Sequence, residues 1–270
     1  MDYSDLTSKA TAIRKRILSM TNASGSSHVG TALSSVDILV TLYFRVLRVD
    51  PKNPLKKNRD IFIMSKGHGC TALYATLVER GFAKSEMLDG FAVDNGLLWG
   101  HVTYGTMPGI EVSTGSLGHG LSIGLGMALA DRKRRIFVLL GDGECDEGSV
   151  WEAILFAGHC GLDNLIVMVD YNKLQSFGTV KNVLDLEPFS DKWKSAKWAA
   201  KEIDGHDICA LVNTLSSIPF QKGHPSVLIA HTIKGKGVSF MENSIDWHYK
   251  SPNREQLNKA FGELDEKDLC

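Results

Sequence analysis

The 270-residue sequence is 43% hydrophobic and 23% charged, the balance of an ordinary globular chain. Thirty basic against 31 acidic residues leave a net charge of −1, which excludes a field that would gather nucleic acid or anionic lipid. No apolar run approaches the roughly 20 residues that span a bilayer, and the five scattered cysteines (Cys70, Cys145, Cys160, Cys209, Cys270) suggest neither a disulfide framework nor a zinc site, so a cytoplasmic protein is expected.

Leu6, Ala10, Ile13, Ile17 and Met20 recur at helical spacing and predict a helix over 4–21. Small residues at 22–27 then read as a loop carrying His28, followed by a more apolar helix over 35–47. Asp50-Pro51 and Asn53-Pro54 make a turn-rich link, because the residue before proline avoids the helical region. Beyond it the pattern alternates. Apolar runs at 61–64, 136–140, 165–169, 198–203 and 227–232 read as buried strands, with helices between them over 71–80, 119–130, 149–160 and 207–216. Apolar strands separated by helices predict a parallel sheet of about five strands, covered on both faces, in a single α/β domain over 1–270. The stretch 82–113 suits neither helix nor strand, and a loop of that size is expected to be functional or interfacial. Arg132-Lys133-Arg134-Arg135 reads as a solvated turn, and 253–268 as one charged helix.

The most informative stretch is GDGECDEGSVWEAILFAGHCGLDNLIVMVDYNKL, from Gly141 to Leu174. It begins where one strand ends, continues through a helix, and finishes just past the next strand. A strand–helix–strand unit makes its strands parallel, so Asp142 and Asn172 emerge side by side at the sheet edge where ligands bind. Mg²⁺ prefers oxygen ligands and commonly links one or two protein carboxylates to phosphate. An Asp carboxylate, an Asn amide oxygen and the Leu174 carbonyl supply one side of such a site. Gly141 and Gly143 are expected to let backbone N–H groups approach a phosphate. A lone GDG is a common turn. GDG at one strand end with Asn about 30 residues on, at the next strand end, is far more restrictive.

That spacing resembles the thiamine diphosphate fingerprint, and the segments around it resemble the transketolase family. SSHVG, SKGHG, WGH, TGSLGHG, GDGE–DYNKL and IKGKG–WHYK occur in the family's order. The resemblance implies a cofactor of thiamine diphosphate with Mg²⁺, for which Ca²⁺ or Mn²⁺ can substitute. It implies metal ligation by Asp142, Asn172 and the Leu174 carbonyl. Cofactor contacts are implied for Thr31, His68, Gly115, Ser116, Leu117, Asp142, Gly143, Glu144, Asn172, Lys234 and His248. Catalytic roles are implied for His28, His68, His101 and His248, with Glu147 in a carboxylate relay across a subunit interface. The implied reaction moves a two-carbon ketol unit from a ketose, or its phosphate, to an aldose. Histidine suits the proton transfers because its ordinary pKa of about 6.5 allows both directions near neutrality.

Two places depart from the family pattern: Ser27-His28-Val29, and His101-Val102-Thr103. Both are expected to border the donor pocket, which leaves the sugar open. The family's pyrimidine-binding domain, with its activating glutamate, and its C-terminal domain are expected on a separate chain, in an α2β2 heterotetramer. Gly120, Gly124 and Ala128 form a small-residue stripe that suits either core packing or a contact between subunits.

Other histidines (His119, His159, His206, His224, His231) read as surface or packing residues. A nicotinamide site at Gly118–Gly126 fails on register, since Ile123 stands where the third glycine belongs, and no clear strand precedes it. Another split thiamine diphosphate enzyme, such as the α component of a 2-oxoacid dehydrogenase, remains as an alternative, as does a non-catalytic cofactor-binding chain.

Overall fold

The computed structural model describes residues 2–268; Cys270 lies outside the described residues. Its centre is a five-stranded, all-parallel sheet built from β1 (Ile61–Met64), β2 (Ile136–Gly141), β3 (Leu165–Tyr171), β4 (Ala199–Asp204) and β5 (Ser226–His231). The spatial order is β1-β2-β3-β5-β4. The alternating side chains of a strand divide the core in two. Phe62, Phe137, Leu139, Ile166, Met168 and Leu228 enter one layer, while Ile63, Val138, Leu140, Val167, Val169 and Ile229 enter the other.

The helices are α1 (Tyr3–Ser24), α2 (Val29–Ser34), α3 (Val36–Thr41), α4 (Cys70–Arg80), α5 (His119–Ala130), α6 (Gly148–His159), α7 (Val180–Val183), α8 (Phe189–Ser195), α9 (Ile208–Ser216) and α10 (Arg254–Asp268). On α1 the predicted stripe is buried throughout, and a reciprocal Asp2–Asp5 capping box fixes its start. The helix runs three residues past 21, until Gly25 closes it in a left-handed conformation with φ 66°.

The next segment differs more. The single helix expected over 35–47 is two pieces, α3 and a wider π turn at Leu42–Val46, and a further short helix, α2, precedes them. Gly30, Thr31 and Ser34 are weak helix formers, but every residue of α2 and α3 is buried, so tertiary packing overrides local propensity. The strand expected as apolar at 198–203 is an edge strand shifted by one residue, pairing only with β5 and exposing Lys201 and Glu202. Its apparent apolar start, Trp198, lies just before it, wedged against Trp193 with centroids 4.9 Å apart. Arg135 is not simply solvated: with Arg48 it neutralises the buried Asp60.

The small-residue stripe of α5 faces inward. A Cβ on Gly120 would lie 2.4 Å from Ser65 Oγ, and one on Gly124 would lie 2.7 Å from Val138 Cγ2. Close approach of helix to sheet explains these glycines, and the stripe gives no support for a contact between subunits.

A buried ion pair braces the C-terminal half against α1. Arg14 Nη2 donates to Asp37 Oδ2 at 2.6 Å, and His206 Nδ1 lies 2.7 Å from the same oxygen. The Ile233 N–H donates to His206 Nε2, which leaves Nδ1 to carry the proton. Burial pushes the Asp37 carboxyl up, but the Arg14 charge and these hydrogen bonds outweigh it and hold it at about 2 rather than 3.8. A depressed carboxyl pKa adds stability above its unfolded value and loses it as pH falls through the folded one, here worth roughly 2 kcal/mol. In urea unfolding, the stability gap between wild type and Asp37→Asn is therefore expected to narrow by about that amount from about pH 5 to about pH 2; a constant gap would contradict it.

Candidate active site

Four strand ends supply the site. Beyond β1 come Lys66 and His68, beyond β2 the segment Asp142–Glu147, beyond β3 Asn172–Gln175, and beyond β5 Lys234. His28 enters from the turn before α2, His101 from the long irregular segment, and His248 from a single 3₁₀ turn at Ile245–His248. With Lys66 behind the wall, these segments line a cavity of about 400 Å³ at the carboxyl edge of the sheet.

Of the residues that the sequence singles out, His28, Thr31, His68, His101, Gly115, Leu117, Asp142, Gly143, Glu144, Glu147, Asn172, Leu174, Lys234 and His248 all line this cavity. Ser116 is exposed and is not among the lining residues. Glu144 turns inward: its carboxylate accepts from Ser65 Oγ, from the Gly118 N–H at 2.8 Å and from the Gly141 N–H at 3.3 Å. The Gly141 N–H is thus directed to Glu144, and the Gly143 N–H to Asp142 Oδ1 at 2.7 Å, so neither is left free for a phosphate as the sequence suggested.

The Asp142–Asn172 pair forms through the backbone. Lys173, at φ 65°, reverses the chain after β3, and its N–H donates to Asp142 Oδ2 at 2.6 Å. The same turn lets Asn172 Oδ1 accept from the Leu174 N–H at 3.1 Å. Lys234 Nζ donates to the Leu174 carbonyl at 2.8 Å and to His248 Nδ1 at 3.1 Å. Burial and the nearby Asp170 charge push the Asp142 carboxyl up to about 6. Burial likewise brings the Lys234 ammonium down to about 8. At neutral pH the site therefore holds both an ionised carboxylate and a protonated lysine.

The histidines cluster opposite. Ring centroids of His28 lie 4.9 Å from His248, 5.2 Å from His68 and 6.0 Å from His101. His28 is held at φ 73°, a left-handed conformation uncommon for a non-glycine residue, and its N–H donates to the His248 carbonyl at 2.8 Å. Burial, reinforced by the His101 and Lys234 charges, lowers His28 to about 4. Burial and Lys234 lower His248 to about 3, and burial beside Lys66 holds His68 well below its ordinary value. These three rings are thus neutral at pH 7. The expectation that they titrate near neutrality gives way to one in which they accept protons only as charge arrives with a ligand.

Sequence reading missed Gln175 and Asp146, joined at 2.8 Å on the cavity wall, where Asp146 Oδ1 is buried without a partner. It also missed Phe177 and Val183, exposed apolar groups at the rim. Neither departing valine faces the cavity: Val29 and Val102 are core residues, 0% and 3% exposed. The histidines outside the site behave as expected, with His119 and His159 exposed and His206 packed on Asp37. No strand precedes the Gly118–Gly126 segment as a dinucleotide fold requires; α5 follows irregular chain.

Residues 7–262 match the family model described as transketolase, thiamine diphosphate binding domain. The chain is 43% identical over 269 residues to one of the named subunits of apulose-4-phosphate transketolase from Actinobacillus succinogenes, covering 98% of this chain and 97% of that protein. It is 40% identical over 267 residues to 6-deoxy-6-sulfo-D-fructose transketolase subunit SqwG of Clostridium sp. (strain MSTE9), covering 97% of each. Among solved structures, transketolase from Campylobacter jejuni superposes with a TM-score of 0.91 at 29% identity, covering 98% of this chain but 43% of that one. Transketolase from Leishmania mexicana gives 0.91 at 27% identity, covering 96% and 41%. A parallel sheet with this cavity at its carboxyl edge, matched by sequence along nearly its whole length, places the chain in the transketolase family of transferases, as its thiamine diphosphate-binding domain.

Proposed function

We propose that this chain is the diphosphate-holding component of a heteromeric transketolase that moves a two-carbon ketol unit from a ketose to an aldose. The observation that carries the reading is the convergence of Asp142, Asn172 and the Leu174 carbonyl on one wall of a cavity whose other wall holds four histidines. The three oxygens suit a hard divalent cation such as Mg²⁺. Each accepts one hydrogen bond within the chain and keeps a further lone pair. Cys145 offers no competing soft ligand, since burial raises its thiol well above the ordinary range and keeps it protonated. Among the described residues no cluster of three or more His, Cys, Asp or Glu side chains forms a rival metal site.

In this reading Asp142, Asn172 and Leu174 hold the metal, and Lys234 meets the diphosphate charge beside it. Thiamine diphosphate supplies the electron sink for cleaving and forming the carbon–carbon bond. The chain's own part is proton handling. His248 receives a hydrogen bond at Nδ1 from Lys234, which leaves Nε2–H to donate to a substrate hydroxyl. His28, neutral and held by its backbone bond to His248, accepts a proton from a donor hydroxyl. His68 and His101 orient the sugar, His101 from the exposed rim.

The partner reading is supported by relatives of this length whose names make each of them one subunit of a transketolase. The partner would carry the pyrimidine-binding domain and the activating glutamate, with Glu147 facing it from the cavity wall, in an α2β2 assembly. The relatives' names, one giving apulose-4-phosphate and one 6-deoxy-6-sulfo-D-fructose, favour a specialised anionic ketose as donor. A ketol-transfer assay over phosphorylated and sulfonated ketoses, after reconstitution with the pyrimidine-domain chain, tests this. Transfer that requires both chains is expected. Equal turnover by this chain alone, or no transfer from any ketose by the complex, would refute it.

A further inference from the structure

Behind the cavity wall lies a buried polar cluster to which the proposed reaction assigns no step. Lys66 and Asp170 are both 0% exposed and form an ion pair. Lys66 Nζ also donates to the Thr31 carbonyl at 3.1 Å. Asp170 accepts in addition from Ser34 Oγ at 2.6 Å and from Thr232 Oγ1, while Ser35 Oγ, 3.3 Å away, donates to the Thr31 carbonyl at 2.9 Å. One carboxylate thus ties together α2, the end of β1, the end of β3 and the end of β5.

The spacing of these ties is regular. Lys66 precedes His68 by two residues, Asp170 precedes Asn172 by two, and Thr232 precedes Lys234 by two. Thr31, held by Lys66, itself lines the cavity, three residues after His28. Two residues span at most about 7 Å of chain, so little slack separates the cluster from the site. An apolar cluster would hold these segments with comparable stability, because buried ion pairs are often no more stabilising than well-packed hydrophobic residues. What an apolar cluster lacks is direction. Several donors converging on one carboxylate fix the register of four segments relative to one another.

We propose that Lys66 and Asp170 are positioning residues, which set the mutual placement of His28, His68, Asn172 and Lys234 and thereby the grip of this chain on a diphosphate–metal group. This rests on the thiamine diphosphate reading of the site. The test compares wild type with Lys66→Met/Asp170→Asn, a pair of changes that leaves no uncompensated buried charge, and with the milder Ser34→Ala/Thr232→Val should the first fail to fold.

Two readouts are taken on protein whose circular dichroism matches wild type. The first is the ¹H–¹⁵N imidazole spectrum of the cofactor-free chain; the second is the thiamine diphosphate dissociation constant at fixed Mg²⁺, with the pyrimidine-domain chain present. Displaced His28 and His68 signals, and a dissociation constant raised at least tenfold for the first variant and about threefold for the second, are expected. Unchanged imidazole signals, with a dissociation constant within twofold of wild type, would overturn the positioning role and leave the pair a fold element only. A wild-type complex that binds no thiamine diphosphate would instead refute the reading of the site, and the imidazole comparison would still decide the positioning role.

Discussion

Asp142→Ala is expected to weaken Mg²⁺-dependent thiamine diphosphate binding by at least about 100-fold while the chain stays folded. Losing a partner that merely orients a metal ligand costs about 10–100-fold in metal affinity, and Asp142 is the only carboxylate among the three proposed ligands. Two further contacts raise the effect. The Asp142 carboxylate gathers the N–H groups of Gly143 and Lys173, so its removal also frees the turn that presents Asn172 and Leu174. It is, besides, the acidic neighbour of the buried Lys234 ammonium. Isothermal titration of thiamine diphosphate at saturating Mg²⁺ reads the change. An Asp142→Ala variant that binds as wild type does would remove the metal assignment. Asn172→Ala is expected to act in the same direction but less, because a neutral amide oxygen contributes less to a divalent cation than a carboxylate.

The second large effect falls on turnover. His28→Ala should retain thiamine diphosphate and lose activity by about 10²–10⁴-fold, the usual contribution of a positioned acid–base group. His28 touches other histidine rings rather than Asp142 or Asn172, so its loss leaves the metal side intact. Its backbone also sits in the left-handed region, where removing the ring does not relieve the conformation. A parallel loss of cofactor affinity and turnover would show that His28 serves binding instead. The distinction requires both quantities from the same preparation: the dissociation constant of thiamine diphosphate and kcat with a saturating ketose donor.

These two residues differ in how they are legible in sequence. Asp142 and Asn172 are found because a strand–helix–strand unit forces two loops onto one edge, so spacing along the chain becomes proximity in space. The same logic yields the five strands, whose apolar runs differ from the observed boundaries by no more than two residues. Only the expected burial of β4 fails, because an edge strand needs only one partner and tolerates Lys201 and Glu202. The pattern also misses α2, which lies between the expected loop over 22–27 and the expected helix over 35–47 and is enclosed by the surrounding core.

The histidine cluster is a different case. Nothing in local pattern brings His28, His68, His101 and His248 together; family resemblance names them, and tertiary folding places their rings within a few ångströms. The depressed pKa values of His28, His68 and His248 are beyond sequence altogether, since burial and the charges of Lys66 and Lys234 exist only in the folded chain. The Lys66–Asp170 pair is intermediate. A lysine after one apolar strand and an aspartate near the end of another are visible, but their pairing depends on strand order. Gln175 carries a weaker signal: Gly143 leaves room for it, since a Cβ there would lie 3.1 Å from Gln175 Cγ.

We propose that this cavity holds thiamine diphosphate through a divalent cation bound by Asp142, Asn172 and the Leu174 carbonyl. Titration of thiamine diphosphate into the wild-type chain with its pyrimidine-domain partner, once with Mg²⁺ and once with excess EDTA, tests it most directly. Saturable binding near one equivalent per chain that EDTA abolishes and Mg²⁺ restores is the predicted result. Binding of equal strength under both conditions, or none under either, would rule out a metal-bridged diphosphate site.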